Sequence, residues 1–210
     1  MNDDAEARAT PPDPPSGDRT LWGIRAADYV AISLAVLALS SAIGGFDALL
    51  WLRYERSAIL RGEVWRLFTG HLVHLGWAHL ALNLAGLGLI WLLFGRYYGV
   101  VQWIVIVVAS AFGISLGFLY FHPELLWYVG LSGVLHGMFV AGAIGGILAG
   151  YRAEWLLLAL LVLKLFWEQH MGPMAETERM IGGLVVVDAH LYGAIVGLGS
   201  ALALKFAPRI

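Results

Sequence analysis

The sequence predicts an all-α membrane protein with six transmembrane helices. Hydrophobic residues make up 60% of the 210 residues and charged residues only 13%, and the mean hydropathy is +0.75. Soluble domains carry about 25% charged residues, so this composition is typical of a protein that resides in a bilayer. The apolar residues also fall in stretches close to the roughly 20 residues that a helix needs to cross the hydrocarbon.

Six apolar stretches are the predicted spans. Charged or turn-forming residues separate them, as expected where a chain leaves the hydrocarbon. An even number of spans puts both chain ends on one side of the membrane. The spans lie near residues 27–46, 74–94, 101–121, 132–150, 155–170 and 188–206, and the segments between them contain Arg53 to Arg66, Arg96, His122-Pro123-Glu124, Arg152-Ala153-Glu154 and Pro173 to Arg179.

Residues 1–22 differ from the rest of the chain. Four prolines lie between positions 11 and 15, and five acidic side chains lie between positions 3 and 18. A segment this polar and proline-rich cannot bury a core, so we expect a disordered cytoplasmic N-terminal segment. Residues 23–210 are expected to form the membrane domain.

Cysteine content and net charge exclude several function classes. The chain has no cysteine, so it has neither disulfides nor a thiolate that could act as a metal ligand or nucleophile. Its net charge is -2 and it has no basic run, which argues against nucleic acid as a partner. We expect the lipid bilayer as a partner, and no cofactor and no metal.

The basic residues predict the orientation. In the short loops they favour cytoplasmic termini, although the arginines of the first long loop oppose this. With cytoplasmic termini, Ser132 at the start of the fourth span faces the outer (periplasmic) side. The terminal side holds Arg8, Arg19, Arg25, Arg96, Arg152, Lys205 and Arg209, and the opposite side holds Arg53, Arg56, Arg61, Arg66 and Arg179.

Polar side chains interrupt three of the apolar stretches. Ser132 stands in Gly130-Leu131-Ser132-Gly133, His79 and Asn83 lie one helical turn apart, and His190 lies on the last span. Hydrocarbon is a costly surrounding for a hydroxyl, an amide or an imidazole, so such groups indicate function. Together they match the nucleophile, base and oxyanion donor of a serine hydrolase.

Small residues recur every four positions on the fourth and sixth spans. Such stripes let two helix backbones approach closely, which holds membrane helices together. Ser132 lies just before the first stripe and His190 one turn before the second, so we expect packing of these faces to bring the two side chains together. The stripes are Gly133, Gly137, Ala141, Gly145 and Ala149, and Gly193, Gly197 and Ala201.

A Ser–His dyad is the economical interpretation of this pair. A serine hydroxyl becomes a good nucleophile when a neighbouring base removes its proton, and histidine suits that role near neutral pH. Gly130 and Gly133 permit a tight loop and leave space for a substrate carbonyl, while backbone N–H groups at the helix start point towards developing negative charge. His79 and Asn83 can add donors. No carboxylate stands at an obvious third position, since Asp188 is too near the histidine in sequence.

Each of these sequence features also has a purely structural interpretation. The Gly-x-Ser-Gly segment suits a close-packed helix entrance, and His79 with Asn83 can form an interhelical hydrogen-bond pair. His190 can be a buried histidine or a haem ligand. The coincidence of all three at helix ends on one side favours the catalytic interpretation.

An ordered set of motifs extends this pattern along the chain. The set consists of Gly62-Glu63-Val64-Trp65-Arg66, His74, His79, Asn83, Gly130-Leu131-Ser132-Gly133, and Ala189-His190 with Gly193 and Gly197. Over about residues 45–205 it resembles the rhomboid intramembrane serine proteases. The resemblance implies a six-transmembrane-helix rhomboid-like bundle that cleaves membrane-anchored proteins.

The resemblance also implies roles for individual residues. Ser132 would be the nucleophile and His190 the general base, and His79 and Asn83 would line the oxyanion hole with the Ser132 N–H. Trp65-Arg66 would belong to a first-loop structure partly in the outer leaflet. His74 would be a structural residue near the site.

His136 departs from the usual rhomboid pattern. A typical rhomboid has a tyrosine four residues after the serine, where it stacks on the catalytic histidine, whereas this chain has His136. With the segment Thr69-Gly70-His71-Leu72-Val73-His74-Leu75 and the short chain, this resembles the rhombosortase branch. That branch implies substrates with a C-terminal sorting signal made of a Gly-Gly motif, a membrane helix and a basic tail. His136 is expected either to hydrogen-bond His190 or to pack beside it.

Lys164 and Glu168 lie four residues apart in the fifth span, so they can pair on one helix face. An ionisable residue this deep in a membrane indicates function. By the resemblance the fifth helix borders the path of substrate entry, and one hypothesis is that the pair stabilises or gates that path. The alternative is that Glu168 lies at the interface and Lys164 extends towards water.

Several functions are compatible with the sequence. The leading one is peptide-bond hydrolysis, and an acyl-enzyme on Ser132 also permits transfer of the new C-terminus to an amine. A generic rhomboid protease of other transmembrane substrates is an alternative. A non-catalytic relative that binds membrane helices is a further alternative. Such a protein is expected to lack the serine or the histidine, whereas this chain has both. A haem or metal protein would use the histidines, which are His71, His74, His79, His136 and His190.

Overall fold

The computed structural model describes residues 25–205, and the predicted disordered segment 1–22 lies outside them. Within the described residues the regular secondary structure consists of helices and one short two-stranded sheet. In chain order the elements are α1 Asp28–Ile43, α2 Gly45–Leu52, β1 Tyr54–Glu55, α3 Arg56–Leu60, α4 Arg66–Thr69, α5 Trp77–Phe94, α6 Val100–Phe121, β2 Trp127–Tyr128, α7 Ser132–Leu148, α8 Ala153–Met171, α9 Ala175–Ile181 and α10 Val187–Lys205.

Each predicted span corresponds to a helix, so the all-α prediction is confirmed. In the described part of the chain, three helices, α5, α6 and α10, are long and apolar enough to cross a membrane. A fourth candidate span is formed by α1 and α2 together, although the chain bends by 118° between them. Helix α7 has only 17 residues, and α8 carries Glu154, Lys164 and Glu168. The predicted number of six spans is therefore not established by length and composition.

Helix α7 is the central element of the bundle and packs most closely against α10. Gly193 and Gly197 of α10 lie directly against the carbonyl oxygens of Gly133 and Gly137, and there is no room for a Cβ at either α10 glycine. The predicted packing of the two small-residue stripes is confirmed for this half of the helices. The α7 stripe leaves α10 at Gly145, which makes room for Tyr97 and Tyr98 of the α5–α6 loop instead.

A short antiparallel sheet joins the first long loop to the segment before α7. Tyr54 pairs with Tyr128 and Glu55 with Trp127. The sheet was not expected from the sequence, because each strand has only two residues. It brings the segment that follows α2 next to the loop that precedes Ser132.

Two arginines hold the first long loop in place. Arg56 donates to the carbonyl of Leu119 at 2.9 Å, near the C-terminal end of α6. Arg66 is buried and donates to the carbonyls of Leu50 and Arg53, each at 2.9 Å. Carbonyls at a helix end lack partners in the helix, so these guanidinium contacts satisfy groups that would otherwise be unpaired.

Candidate active site

Ser132 is the first residue of α7, and the loop before it is tightly fixed. The Gly130 N–H donates to the Gly70 carbonyl at 3.1 Å, and the Tyr128 hydroxyl donates to the Gly130 carbonyl at 2.8 Å. Gly130 has a φ of +126°, in the region that favours glycine. A Cβ there would also lie 2.8 Å from Cε1 of His79. Both constraints make glycine the residue that suits this position.

His190 on α10 meets Ser132 across the glycine contact. The Ser132 Oγ lies 3.0 Å from Nε2 of His190, within hydrogen-bond distance. His190 is buried and Ser132 is partly buried. The predicted proximity of the two side chains is confirmed, and it follows directly from the close approach of α7 and α10.

Glu168 of α8 contacts the other nitrogen of the same imidazole. Its Oε2 lies 2.9 Å from Nδ1 of His190, and both side chains are buried. No carboxylate was predicted from the sequence for this position, and Glu168 was expected only as an accessory residue paired with Lys164. The only sign of this role in the sequence was the predicted ion pair in an apolar helix. The spacing of that pair does not show which way its helix face points.

His136 lies on α7 one turn after Ser132 and stacks on His190. The ring centroids are 4.1 Å apart and the planes differ by 15°. Of the two expected arrangements, the structure has the one in which His136 packs beside His190. An imidazole can stack on a second imidazole as an aromatic ring does, so His136 keeps a ring against His190.

Lys164 places a positive charge at the centre of these groups. Its Nζ lies 2.7 Å from Oε2 of Glu168, 2.8 Å from Nε2 of His136 and 3.2 Å from Nδ1 of His190. Glu168, His136 and His190 each offer a ligand atom within 4.8 Å of the others, a spacing that can hold a metal ion. The Lys164 ammonium already supplies a cationic group to the same three side chains.

His79 and Asn83 lie on the face of α5 that is turned towards this loop. The Leu75 N–H donates to Nδ1 of His79 at 3.4 Å, so the proton of the neutral imidazole is on Nε2, the atom next to Gly130. Asn83 is buried one turn further along. Its Nδ2 has no hydrogen-bond acceptor among the described residues. The two side chains thus offer donors near the loop that ends in Ser132.

His71 and His74 lie outside the Ser132–His190 group. The Nε2–H of His71 donates to the Ala111 carbonyl at 3.0 Å, and His74 packs edge-on against His79 with ring centroids 4.9 Å apart. Burial lowers the pKa of each from 6.5 to about 4, and for His74 the neighbouring His79 contributes to that shift. Both imidazoles are therefore neutral at physiological pH.

The arrangement contains the parts that acyl transfer requires. A hydroxyl contacts a base, the base contacts a carboxylate, and an unpaired donor, the Nδ2 of Asn83, lies on a neighbouring helix. Asp188 precedes His190 by two residues but is not the carboxylate that contacts it. The Oδ2 of Asp188 lies 3.7 Å from Nε2 of His122. The described residues therefore assemble this group from α5, α7, α8 and α10.

The chain is similar in sequence to known proteins. A family model described as the rhomboid domain matches residues 61–205. A rhomboid protease GlpG of Salmonella paratyphi A is 29% identical over 176 residues, which cover 82% of this chain and 57% of the relative. The GlpG of Salmonella choleraesuis is 29% identical over 175 residues, covering 82% and 59%. The chain thus spans under three fifths of the length of these curated relatives. Because the rhomboid model matches well over half of its residues, this chain belongs to the rhomboid family of helical membrane proteins.

Proposed function

We propose that this protein is an intramembrane serine endopeptidase in which Ser132 is the nucleophile and His190 the general base. The observation that carries this proposal is the 3.0 Å contact between Ser132 Oγ and His190 Nε2. The protease name of the two GlpG relatives supports the same reaction class.

The reaction follows from the position of the base. His190 takes the proton of the Ser132 hydroxyl as Oγ attacks the carbonyl carbon of the scissile peptide bond. It then gives that proton to the leaving nitrogen as the C–N bond breaks, which leaves an acyl-enzyme on Ser132. Water completes hydrolysis, and an amine in its place would transfer the new C-terminus.

The oxyanion formed in this reaction needs donors that are free before the substrate arrives. We assign this role to Asn83, His79 and the Ser132 N–H. Gly130 and Gly133 were expected to leave space for the substrate carbonyl, but protein atoms occupy both side-chain positions. A Cβ on Gly130 would lie 2.8 Å from Cε1 of His79, and one on Gly133 would lie 2.8 Å from the Ala189 carbonyl oxygen. The support for Asn83 is its buried Nδ2, which has no acceptor among residues 25–205. A buried donor left unpaired is costly to stability, so its retention fits a role in catalysis.

The depth of Ser132 fits cleavage inside the membrane. The 17 residues of α7 span about 26 Å, less than the roughly 30 Å of hydrocarbon. If its C-terminal end lies at one surface, its N-terminal end with Ser132 lies below the other. The distribution of basic residues favours the periplasmic side of a bacterial inner membrane for this end.

Within the family, we propose that the protein acts as a rhombosortase. Its substrates would be membrane-anchored proteins with a C-terminal Gly-Gly motif, a membrane helix and a basic tail. His136 supports this choice, because it stacks on His190 where other rhomboids use a tyrosine. The alternative is a generic rhomboid protease with other transmembrane substrates.

Cleavage of two reporters in membranes tests the proposal. One reporter carries the Gly-Gly, helix and basic-tail signal, and the other carries a generic rhomboid substrate helix. We expect the wild type to cut the first, and Ser132→Ala and His190→Ala to leave it intact at equal protein levels. Cleavage of the generic reporter alone would retain the protease and reject the rhombosortase assignment. No cleavage of either would favour a non-catalytic helix-binding protein.

A further inference from the structure

We propose that Glu168 is a positioning residue for His190 and that Lys164 holds Glu168 in that role. The proposal deepens the proposed function and rests on it, because Glu168 would act through the base. The observation that carries it is the pair of contacts on one imidazole, Ser132 at Nε2 and Glu168 at Nδ1.

Hydrogen-bond chemistry determines where the proton of each imidazole lies. The carbonyl of Ser132 can only accept, so Nδ1 of His136, at 2.7 Å, must donate to it. The remaining nitrogen of a neutral His136 is then an acceptor, which matches the Lys164 ammonium at 2.8 Å. His136 therefore accepts a bond from Lys164 and returns one to the residue that carries the nucleophile.

The proton of a neutral His190 lies on Nδ1. As a base it must keep Nε2 unprotonated to receive the proton of Ser132, so its own proton lies on Nδ1. Glu168, at 2.9 Å from Nδ1, accepts that proton in a hydrogen bond. Lys164 is also 3.2 Å from Nδ1, but it has no lone pair to accept with and cannot donate to a protonated nitrogen. Glu168 thus selects the tautomer that the reaction requires.

The negative charge of Glu168 also stabilises the protonated form of His190 during the reaction. When Ser132 Oγ attacks the substrate, its proton moves to Nε2 and the imidazole becomes an imidazolium. A carboxylate on the opposite nitrogen stabilises that cation, and this site is largely buried, where such an interaction is strong. Lys164 donates to the same Oε2 at 2.7 Å and fixes the orientation of the carboxylate. The closed set of contacts runs from Ser132 through His190, Glu168, Lys164 and His136 back to Ser132.

Two other roles for the pair must be distinguished from positioning. A purely structural ion pair would affect stability but leave the rate per folded molecule unchanged. A gate for substrate entry would affect large transmembrane substrates and spare a small reagent. A small fluorophosphonate, which phosphonylates an activated serine with loss of fluoride, therefore separates the three roles.

The experiment measures this labelling and reporter cleavage for wild type, Glu168→Gln, Lys164→Met and the double variant, all normalised to folded protein in detergent. For Glu168→Gln we expect kcat and the labelling rate to fall by about 10²- to 10⁴-fold, as when the carboxylate of a Ser-His-Asp triad is replaced by its amide. Lys164 would then donate to Nδ1 and favour the wrong tautomer.

The double variant gives a result specific to positioning. Removing Lys164 from the Glu168→Gln protein abolishes that donation, so we expect its labelling rate to rise several-fold above Glu168→Gln alone. Glu154→Gln is the matched control, since Glu154 is a second buried carboxylate on α8 and accepts from Tyr97 at 2.6 Å. It is expected to label at the wild-type rate.

Labelling of Glu168→Gln within about threefold of wild type would overturn the positioning role. So would a double variant no faster than the single variant. If Glu168→Gln does not fold, Glu168→Asp and the double variant are compared with wild type, and wild-type rates in both would equally reject the role. Failure of the proposed function is separate, because the wild type itself would then neither label at Ser132 nor cleave a reporter.

Discussion

The Cα of Gly193 on α10 lies against the carbonyl oxygen of Gly133 on α7, with no space between them for a side chain. The same relationship recurs one turn along, where Gly197 lies against the carbonyl of Gly137. These contacts fix the distance between the two helices just beside the serine and the histidine. The separation of Ser132 Oγ and His190 Nε2 is thus a consequence of backbone packing.

Gly193→Ala is therefore expected to separate α7 from α10. A Cβ in this contact forces the backbones apart, which costs about 1–3 kcal/mol or more and lengthens the Ser132–His190 contact. We expect lower resistance to thermal unfolding in detergent and loss of most cleavage activity. Gly199→Ala on the same helix is the control, since nothing lies within 4 Å of its position. Equal effects of the two substitutions would contradict the packing argument.

Asn83→Ala is expected to reduce activity while leaving stability almost unchanged. Removing an oxyanion donor lowers kcat by about 10²- to 10³-fold. Removing an unpaired buried amide relieves a penalty that offsets the small cavity, so the free energy of unfolding should change by less than about 1 kcal/mol. Leu87→Ala, one turn along α5 at another buried position, should show the opposite pattern. A strongly destabilised Asn83→Ala would argue for a structural hydrogen bond instead.

Lys164→Ala is expected to create a zinc site. Without the ammonium, His136, Glu168 and His190 retain three ligand atoms within 4.8 Å of one another, and two histidines with a carboxylate suit Zn²⁺. Titration calorimetry should detect zinc binding to this variant and not to wild type, and a chelator should reverse it. Adding Glu168→Gln should weaken the binding. Indistinguishable zinc affinities of wild type and Lys164→Ala would reject the idea that the Lys164 ammonium occupies a potential metal site.

The folded protein is expected to lose stability in acid. Burial lowers the pKa of His71 and His74 to about 4 from 6.5, so between these pH values the unfolded chain takes up protons that the folded one excludes. The contribution of these two histidines to the free energy of unfolding is therefore complete above pH 6.5. It is lost as pH drops towards 4, by roughly 3 kcal/mol for each histidine. Unfolding in detergent between pH 4.5 and 7.5 measures this loss.

His74→Phe should remove one share of that acid sensitivity. Its two ring nitrogens have no hydrogen-bond partner among residues 25–205, so phenylalanine loses no bond and cannot take up a proton. His170→Phe, at an exposed position, is the control and should keep the wild-type pH dependence. A His74→Phe protein with unchanged pH dependence would show that this histidine is not the source.

The helices and the approach of Ser132 to His190 were accessible from sequence because local patterns encode them. Apolar stretches mark helices in a bilayer, and glycine stripes mark the faces along which two of them pack. The bend between α1 and α2 and the pairing of Tyr54 with Tyr128 were not accessible. The bend occurs inside an apolar stretch, and the pairing joins two-residue strands that carry no periodic pattern of their own.

The surroundings of His190 depend on helix rotation. Spacing places Lys164 and Glu168 on one face of α8, but that face could point to lipid, to an interface or to the bundle interior. Its direction follows from how α8 packs against α7 and α10, which are contacts between residues far apart in the chain. The same holds for His136, whose ring stacks on His190 because the two helices lie in close contact.

Composition and helical spacing thus establish a helical membrane protein with a serine, a histidine and an amide on separate helices. They do so because burial in a bilayer restricts each residue locally, whatever its neighbours in space are. The three-dimensional packing decides that a carboxylate and an ammonium complete the group around His190. Hydrogen bonds act over about 3 Å, so their partners are determined by how helices are rotated against one another, which no local pattern specifies.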